Sequence, residues 1–233
     1  ICEQLTDPKD SPALVERGVI RVVTPGTVVE QSMLDEKRNN YLLALCVDMD
    51  RAGIAYTDVS TGECMVLELD DIHAQLGNEM ARIAPTEILC NEAALLACAG
   101  LSFSAPLTPY SAKAWQFGSA ERSILSHFKV HSLDAFGLSE QRLSVSAAGA
   151  LLSYIAETQR NAMRHLSSLR LYATGRHMVL DAAARRNLEL TQTLRRGTGK
   201  GTLLSLLDRT TTAMGARLLR DWHARGRALL VVS

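Results

Sequence analysis

The chain has 233 residues, of which 47% are hydrophobic and 21% charged. That balance excludes a disordered tail and supplies one large domain, or one domain with part of another. No apolar run approaches the roughly 18 residues that span a bilayer, and no charged-then-apolar leader is evident. The opening Ile1-Cys2-Glu3-Gln4 lacks an initiator Met and is expected to be the start of an excised piece. The formal net charge of zero conceals an asymmetry: residues 1–163 hold 12 basic against 21 acidic side chains, and residues 164–233 hold 13 against 4. The two parts should face different partners, and only the basic one suits phosphate.

In chain order, Gly18 to Val23 reads as a strand ended by the turn Thr24-Pro25-Gly26-Thr27. Tyr41 to Val47 is nearly all apolar, as a strand covered on both faces would be. Ile54 to Val59 and Cys64 to Leu69 flank Ser60-Thr61-Gly62-Glu63, the spacing of a hairpin. Asp70 and Asp71 open a helix through Arg82. Thr86 to Cys90 is a further strand, Asn91 to Ala99 a further helix, and 100–118 is loop-rich around one short strand. The fold class is therefore α/β with a mixed sheet.

Pro109 is the last of six prolines, so the second half is expected to be largely helical. A long helix starts near Ser144, with Ala147, Leu151, Ile155 and Thr158 on one face. Ser168 to Tyr172 and His177 to Leu180 read as short extended pieces. Asp181 N-caps a helix carrying Ala184, Leu188, Thr191 and Leu194; further helices carry Leu203, Leu206 and Leu207, then Met214, Leu218, Leu219 and Trp222. The charge reversal and the change of pattern place a domain boundary near 160–167.

Several clusters invite chemistry. Gly197-Thr198-Gly199-Lys200-Gly201-Thr202 looks like a phosphate loop, but Leu194 and Gly201 stand where a P-loop needs Gly and Ser or Thr. His127 and His131 have a zinc-compatible spacing, yet no third ligand is evident, and surface histidines are expected. The five cysteines contain no Cys-x-x-Cys pair, which fits buried reduced thiols in a cytoplasmic protein. Acids gather at Asp48, Asp50, Asp58, Glu63, Glu68, Asp70 and Asp71, which raises the alternative of a ribonuclease H-like metal nuclease. The centre of the leading strand, Ala44-Leu45-Cys46-Val47, lacks the inward acid such an enzyme needs. Arg185-Arg186 and Arg195-Arg196 lie ten residues apart on one expected helix and are candidate contacts to DNA phosphates. A free-standing DNA-binding module using the basic final third is the other alternative.

Asp7-Pro8, Val22 to Thr27, Leu34 to Leu42, Asp58 to Glu63 and Pro85-Thr86-Glu87-Ile88-Leu89 together resemble the MutS family of DNA mismatch-repair proteins. Leu180 to Leu190, Gly201 to Leu204, Leu207-Asp208-Arg209-Thr210 and Met214 to Leu219 with Trp222 continue the likeness in order, nearly end to end. The resemblance implies a remnant of the mismatch-recognition domain and linker at 1–29. It further implies a ribonuclease H-like connector at 30–163 and the first, incomplete part of an all-helical core at 164–233. Family members are homodimers that clamp mismatched DNA, switch with ATP and magnesium and recruit MutL, while their connector relays and docks without catalysis. A MutL contact is thereby expected on the surface from Ala120 to Phe136, at Ala120, Glu121, Ser123, Ile124, His127, Phe128 and His131.

Two family features do not occur in these residues, the mismatch-reading Phe-x-Glu motif and the ATPase P-loop, so no cofactor is expected in this chain. The tail from His223 departs from the family's Pro-containing continuation, which leaves Leu218, Leu219 and Trp222 expected at the surface.

Overall fold

Strand β3 (Tyr41–Asp48) is apolar on both sides. Leu42, Ala44 and Cys46 enter one core while Leu43, Leu45 and Val47 enter another, the two-residue period of a pleated strand between two layers. The computed structural model describes residues 2–4, 17–19, 22–28, 38–101, 103, 105–159, 162–172, 181–195 and 199–224. β3 pairs antiparallel with β4 (Arg51–Asp58), which pairs antiparallel with β5 (Glu63–Leu69). α1 (Ile72–Ile83) follows, its first turn capped by Asp71, whose Oδ1 accepts from the Ala74 amide at 3.0 Å. The helix returns the chain to β6 (Glu87–Cys90), parallel to β3. α2 (Glu92–Ala97) is capped by Asn91, and β7 (Leu107–Pro109) extends the sheet beside β6.

Two helices then cover the opposite face, α3 (Phe117–Phe128) and α4 (Arg142–Thr158). The last strand, β8 (Ser168–Leu171), joins β5 in parallel, and the sheet runs β7-β6-β3-β4-β5-β8. Ile72, Leu76, Met80 and Ile83 of α1 pack on one face; Val145, Ala148, Leu151, Leu152 and Ile155 of α4 pack on the other. The α4 side of the sheet carries small residues, Ala44 and Ala55 among them, and α4 crosses close enough that a Cβ at Gly53 would fall on the Leu143 backbone. Glu68 completes this docking: its Oε1 accepts from the Leu143 amide at 2.6 Å and the Ser144 amide at 3.2 Å. A carboxylate from β5 thus caps α4, which has no side-chain cap of its own.

A second, two-stranded sheet pairs β1 (Cys2–Gln4) with β2 (Arg17–Val19). Beyond β8 lie α5 (Ala182–Asn187), α6 (Leu203–Leu207) and α7 (Ala213–Ala224). No helix among the described residues is long and apolar enough to cross a membrane.

Several expectations need correction. The strand read over Gly18 to Val23 is only β2; Val22 and Val23 lie outside it and are exposed, with the Val22 amide donating to the Thr158 carbonyl at 2.9 Å. The helix after Asp181 does not reach Leu194. It ends at Asn187 because Glu189 turns left-handed at φ 47° and its Oε1 accepts from the Leu194 amide at 2.7 Å, which closes a turn. The extended piece read at Ser168 to Tyr172 is present as β8, which forms an edge of the sheet beside β5. The extended piece at His177 to Leu180 lies outside the described residues. Cys46, Cys64, Cys90 and Cys98 are buried as expected, whereas Cys2 is exposed.

Burial, helped by the nearby Asp48 and Glu68 carboxylates, pushes the Cys46 thiol up to about 12, and burial alone does the same to Cys64. In the folded chain at pH 8, an aromatic disulfide reagent should therefore label Cys2 rapidly and the other four thiols only after unfolding. Gly53→Ala should lower the thermal midpoint strongly, with a loss of about 2 kcal/mol or more as α4 is forced off the sheet.

Candidate functional site

The first residues of β3 sit between two carboxylates. Tyr41 is registered opposite Asp58 at the end of β4, and Leu42 opposite Glu87 at the start of β6. Both carboxylate residues are buried. Buried acids must find donors, and those they find belong to chain segments far apart in sequence.

Glu87 holds the turn that precedes the sheet. Its Oε2 accepts from the Gly26 amide at 2.8 Å and its Oε1 from the Tyr154 hydroxyl at 2.6 Å. Burial and the hydrogen bond to Glu87 push the Tyr154 phenol up to about 12, so it remains a donor across the neutral range. The turn is a short 3-10 element, Pro25–Thr27, with a capping box between Thr24 and Thr27. Gly26 is pressed against Leu42 and Glu87, where any Cβ would stand 2.9–3.0 Å from their side chains.

Asn40 ties Asp58 to the turn that Glu87 holds. Its Nδ2 donates to the Pro25 carbonyl at 2.8 Å, and its Oδ1 accepts from the Thr86 hydroxyl at 2.8 Å. The Asn40 amide donates to Asp58 Oδ2 at 3.1 Å. Asp58 Oδ1 in turn accepts from the Ser60 amide at 2.9 Å and the Ser60 hydroxyl at 2.6 Å. The Ser60 hydroxyl then accepts from Arg217 Nη1 at 2.8 Å, across 157 positions of sequence. One connected set of hydrogen bonds therefore runs from the turn before the sheet, past the end of β3, to a buried arginine of α7.

A second cluster lies on the other face of the sheet. Arg82 of α1 pairs with Glu79 at 2.6 Å, donates to the Tyr56 hydroxyl at 3.2 Å and lies over the Tyr172 ring at 4.4 Å. Burial acts to lower its guanidinium, but Tyr56 and Glu79 outweigh it and hold it raised. α5 packs against α1, and Arg185 there is half-buried, its guanidinium lowered by burial and by the Arg82 charge.

The residues singled out from sequence fall differently. On α3, Ala120 and Ile124 are in the core and cannot line a docking surface, because Ala120 packs on Gly149 of α4 and Ile124 joins the cluster beneath. His127 and Phe128 are half-buried: His127 Nε2 hydrogen-bonds the Leu166 carbonyl at 2.9 Å, and Phe128 lies edge-on to Phe136. Glu121 and Ser123 are half-exposed, His131 is exposed, and Arg122, Ser126 and Lys129 share the open side. Arg186 and Arg195 are exposed, but α5 ends before Arg195, so the two arginine pairs do not share a helix; Arg196 lies outside the described residues.

The acids read as metal candidates serve the fold. Asp71 caps α1, Glu68 caps α4 and meets Arg51 at 3.2 Å, Asp70 meets Arg51 at 3.3 Å, and Glu63 meets Arg170 at 3.8 Å. Among the described residues no three His, Cys, Asp or Glu side chains are grouped to hold a metal ion.

Sequence reading missed Glu87, Asn40, Ser60 and Arg217 as a group. The available signal was Glu87 itself, a carboxylate inside an otherwise apolar strand. Its partners Gly26 and Tyr154 are distant in sequence and give no local pattern.

The fold and this site define a jointed piece: a mixed-sheet unit whose one end gathers the chain before it and a helix after it. Residues 40–169 match MutS domain II and residues 183–225 match MutS domain III; the chain belongs to the MutS family. It is 41% identical over 227 residues to the DNA mismatch repair protein MutS of Lachnoclostridium phytofermentans, with 95% of this chain and 24% of that protein covered. The MutS proteins of Symbiobacterium thermophilum and Protochlamydia amoebophila are each 42% identical, over 234 and 229 residues, covering 97% and 95% of this chain and 26% of each relative. The chain spans about a quarter of the length of these relatives.

Removing the Glu87 carboxylate would leave the Gly26 amide and the Tyr154 hydroxyl without their acceptor. Glu87→Ala should cost about 3 kcal/mol in urea unfolding and Tyr154→Phe about 1 kcal/mol, with the larger effect at Glu87 because it serves both donors.

Proposed function

We propose that this chain is the connector of a MutS-type mismatch-repair protein together with the first helices of its core, and that it works as a non-catalytic relay. The observation that carries the proposal is the joint around Asp58 and Glu87, which links the segment before the sheet to α7 through buried polar groups. An element that transmits a rearrangement must be rigid inside and repackable at its ends. A sheet covered on both faces supplies the first property, and hydrogen-bonded ends supply the second.

On this reading the connector, ribonuclease H-like in its mixed sheet, runs from about residue 40 to Tyr172, and the core helices begin at Asp181. Residues 1–29 belong to the mismatch-recognition side and its linker. Mismatched DNA, ATP with magnesium and the homodimer are properties of the whole cytoplasmic protein. The exposed Arg186 and Arg195 take DNA phosphates there. The open side of α3 and the residues just after it, with Glu121, Arg122, Ser126, Lys129 and His131, form the MutL-docking surface. The buried Ala120 and Ile124 and the half-buried Ser123, His127 and Phe128 give way to the exposed Arg122, Ser126 and Lys129.

The purified chain should bind a MutL-type protein in a surface-binding assay. The double variant Arg122→Glu/Lys129→Glu should weaken that binding about tenfold or more without changing the thermal midpoint. The same preparation should show no ATP turnover and no magnesium-dependent DNA cutting above background. Turnover, or binding indifferent to the α3 charges, would contradict the proposal.

A further inference from the structure

An exposed helix of this kind normally buries its leucines and turns its arginines to water. α7 does the reverse at its centre. Arg217 is 2% exposed, whereas Leu218 is 42% and Trp222 38% exposed. Among the described side chains of α7, Ala216 is buried and Leu219 half-buried. The large side chain that α7 buries, among those described, is thus an arginine and not a leucine.

The chemistry at Arg217 is directional. A serine hydroxyl has one proton, and Ser60 is placed to give it to Asp58 at 2.6 Å while accepting from Arg217 Nη1 at 2.8 Å. Opposite charges at the two ends polarise the hydroxyl between them and strengthen both bonds. Asp58 cannot easily turn away, because its second oxygen is held by the Asn40 amide at 3.1 Å. The hairpin is equally fixed, with the Thr61 and Gly62 amides bonded to the Asp58 carbonyl at 3.0 and 3.1 Å.

We infer that Asp58, Ser60 and Arg217 form a latch that holds α7 on the β4–β5 hairpin and lets it leave without disturbing the sheet. The fixed half is the Asp58–Ser60 turn, and the movable half is Arg217. Released, the guanidinium and the hydroxyl exchange each other for water, while the Asp58–Ser60 turn keeps its own bonds. An apolar interface would open far less readily. The inference deepens the relay reading and rests on it for its purpose. The latch shares no residue with the open side of α3, so either can fail alone.

The test is backbone hydrogen exchange on the full 233-residue chain, followed by mass spectrometry of peptides from β3–β5 and from residues 213–224. Ser60→Ala should speed exchange in 213–224 about tenfold and leave β3–β5 within about twofold. Arg217→Met should do the same, the double variant should add nothing further, and Ser60→Thr should restore the slow exchange. Unchanged exchange at 213–224 in both single variants would overturn the latch. So would an acceleration shared equally by β3–β5, because that would mark general destabilisation. Loss of MutL binding by the α3 charge variant bears on the relay reading and leaves this result untouched.

Discussion

Asp58 is a single carboxylate with donors on both sides, and the ends of the sheet unit are organised around it. One oxygen takes the Asn40 amide, just before β3, and the other takes the amide and hydroxyl of Ser60 in the hairpin turn. Being buried, it must keep these donors or lose the stability that comes from satisfying them. The chain before the sheet and the turn after β4 are therefore positioned by the same group. Glu87 does equivalent work on the other side of β3, for Gly26 and Tyr154. Asn40 joins the two by touching Pro25, Thr86 and Asp58 together.

The rest of the unit makes this joint stiff. α4 lies tight on the small-residue face, capped by Glu68 and contributing Tyr154 to the Glu87 cluster. Thr158 at its C-terminal end accepts from Val22, so the same helix also steadies the segment that leads to the Pro25 turn. On the opposite face, Arg82 is enclosed by Glu79, Tyr56 and Tyr172 beside α5. The helical segment thus meets the sheet unit where α5 packs on α1 and where Arg217 of α7 donates to Ser60. Leu188, Leu203, Leu206 and Leu218 are exposed along that segment, whereas Leu204 and Ala216 are buried.

Much of the sheet was legible because its signals are local. The unbroken apolar run at Leu42 to Val47, the hairpin spacing around Ser60 to Glu63, and the capping residues Asp71 and Asn91 each define an element within a few positions. The family likeness was legible for the same reason, in blocks such as Asp58 to Glu63 and Pro85 to Leu89. The joint was not, because its bonds pair Gly26 with Glu87 and Ser60 with Arg217. The acids around the hairpin looked like metal ligands by type and became caps and ion-pair partners by geometry, as Glu68 on α4 shows. Helical periodicity and the family likeness each misled once. Periodicity carried α5 through Glu189, where the backbone reverses hand, and the family likeness put Ala120 and Ile124 on a docking surface although α4 covers them.

The central claim is that the joint couples the turn before the sheet to α7. The direct measurement is hydrogen exchange at residues 213–224 in a Glu87→Gln variant, which weakens the hold on Gly26 and touches no residue of α7. Coupling through Asn40, Asp58 and Ser60 predicts exchange in α7 faster by about threefold or more, alongside the local change at residues 22–28. An effect confined to residues 22–28 and the neighbouring end of β6, with α7 unmoved, would contradict it.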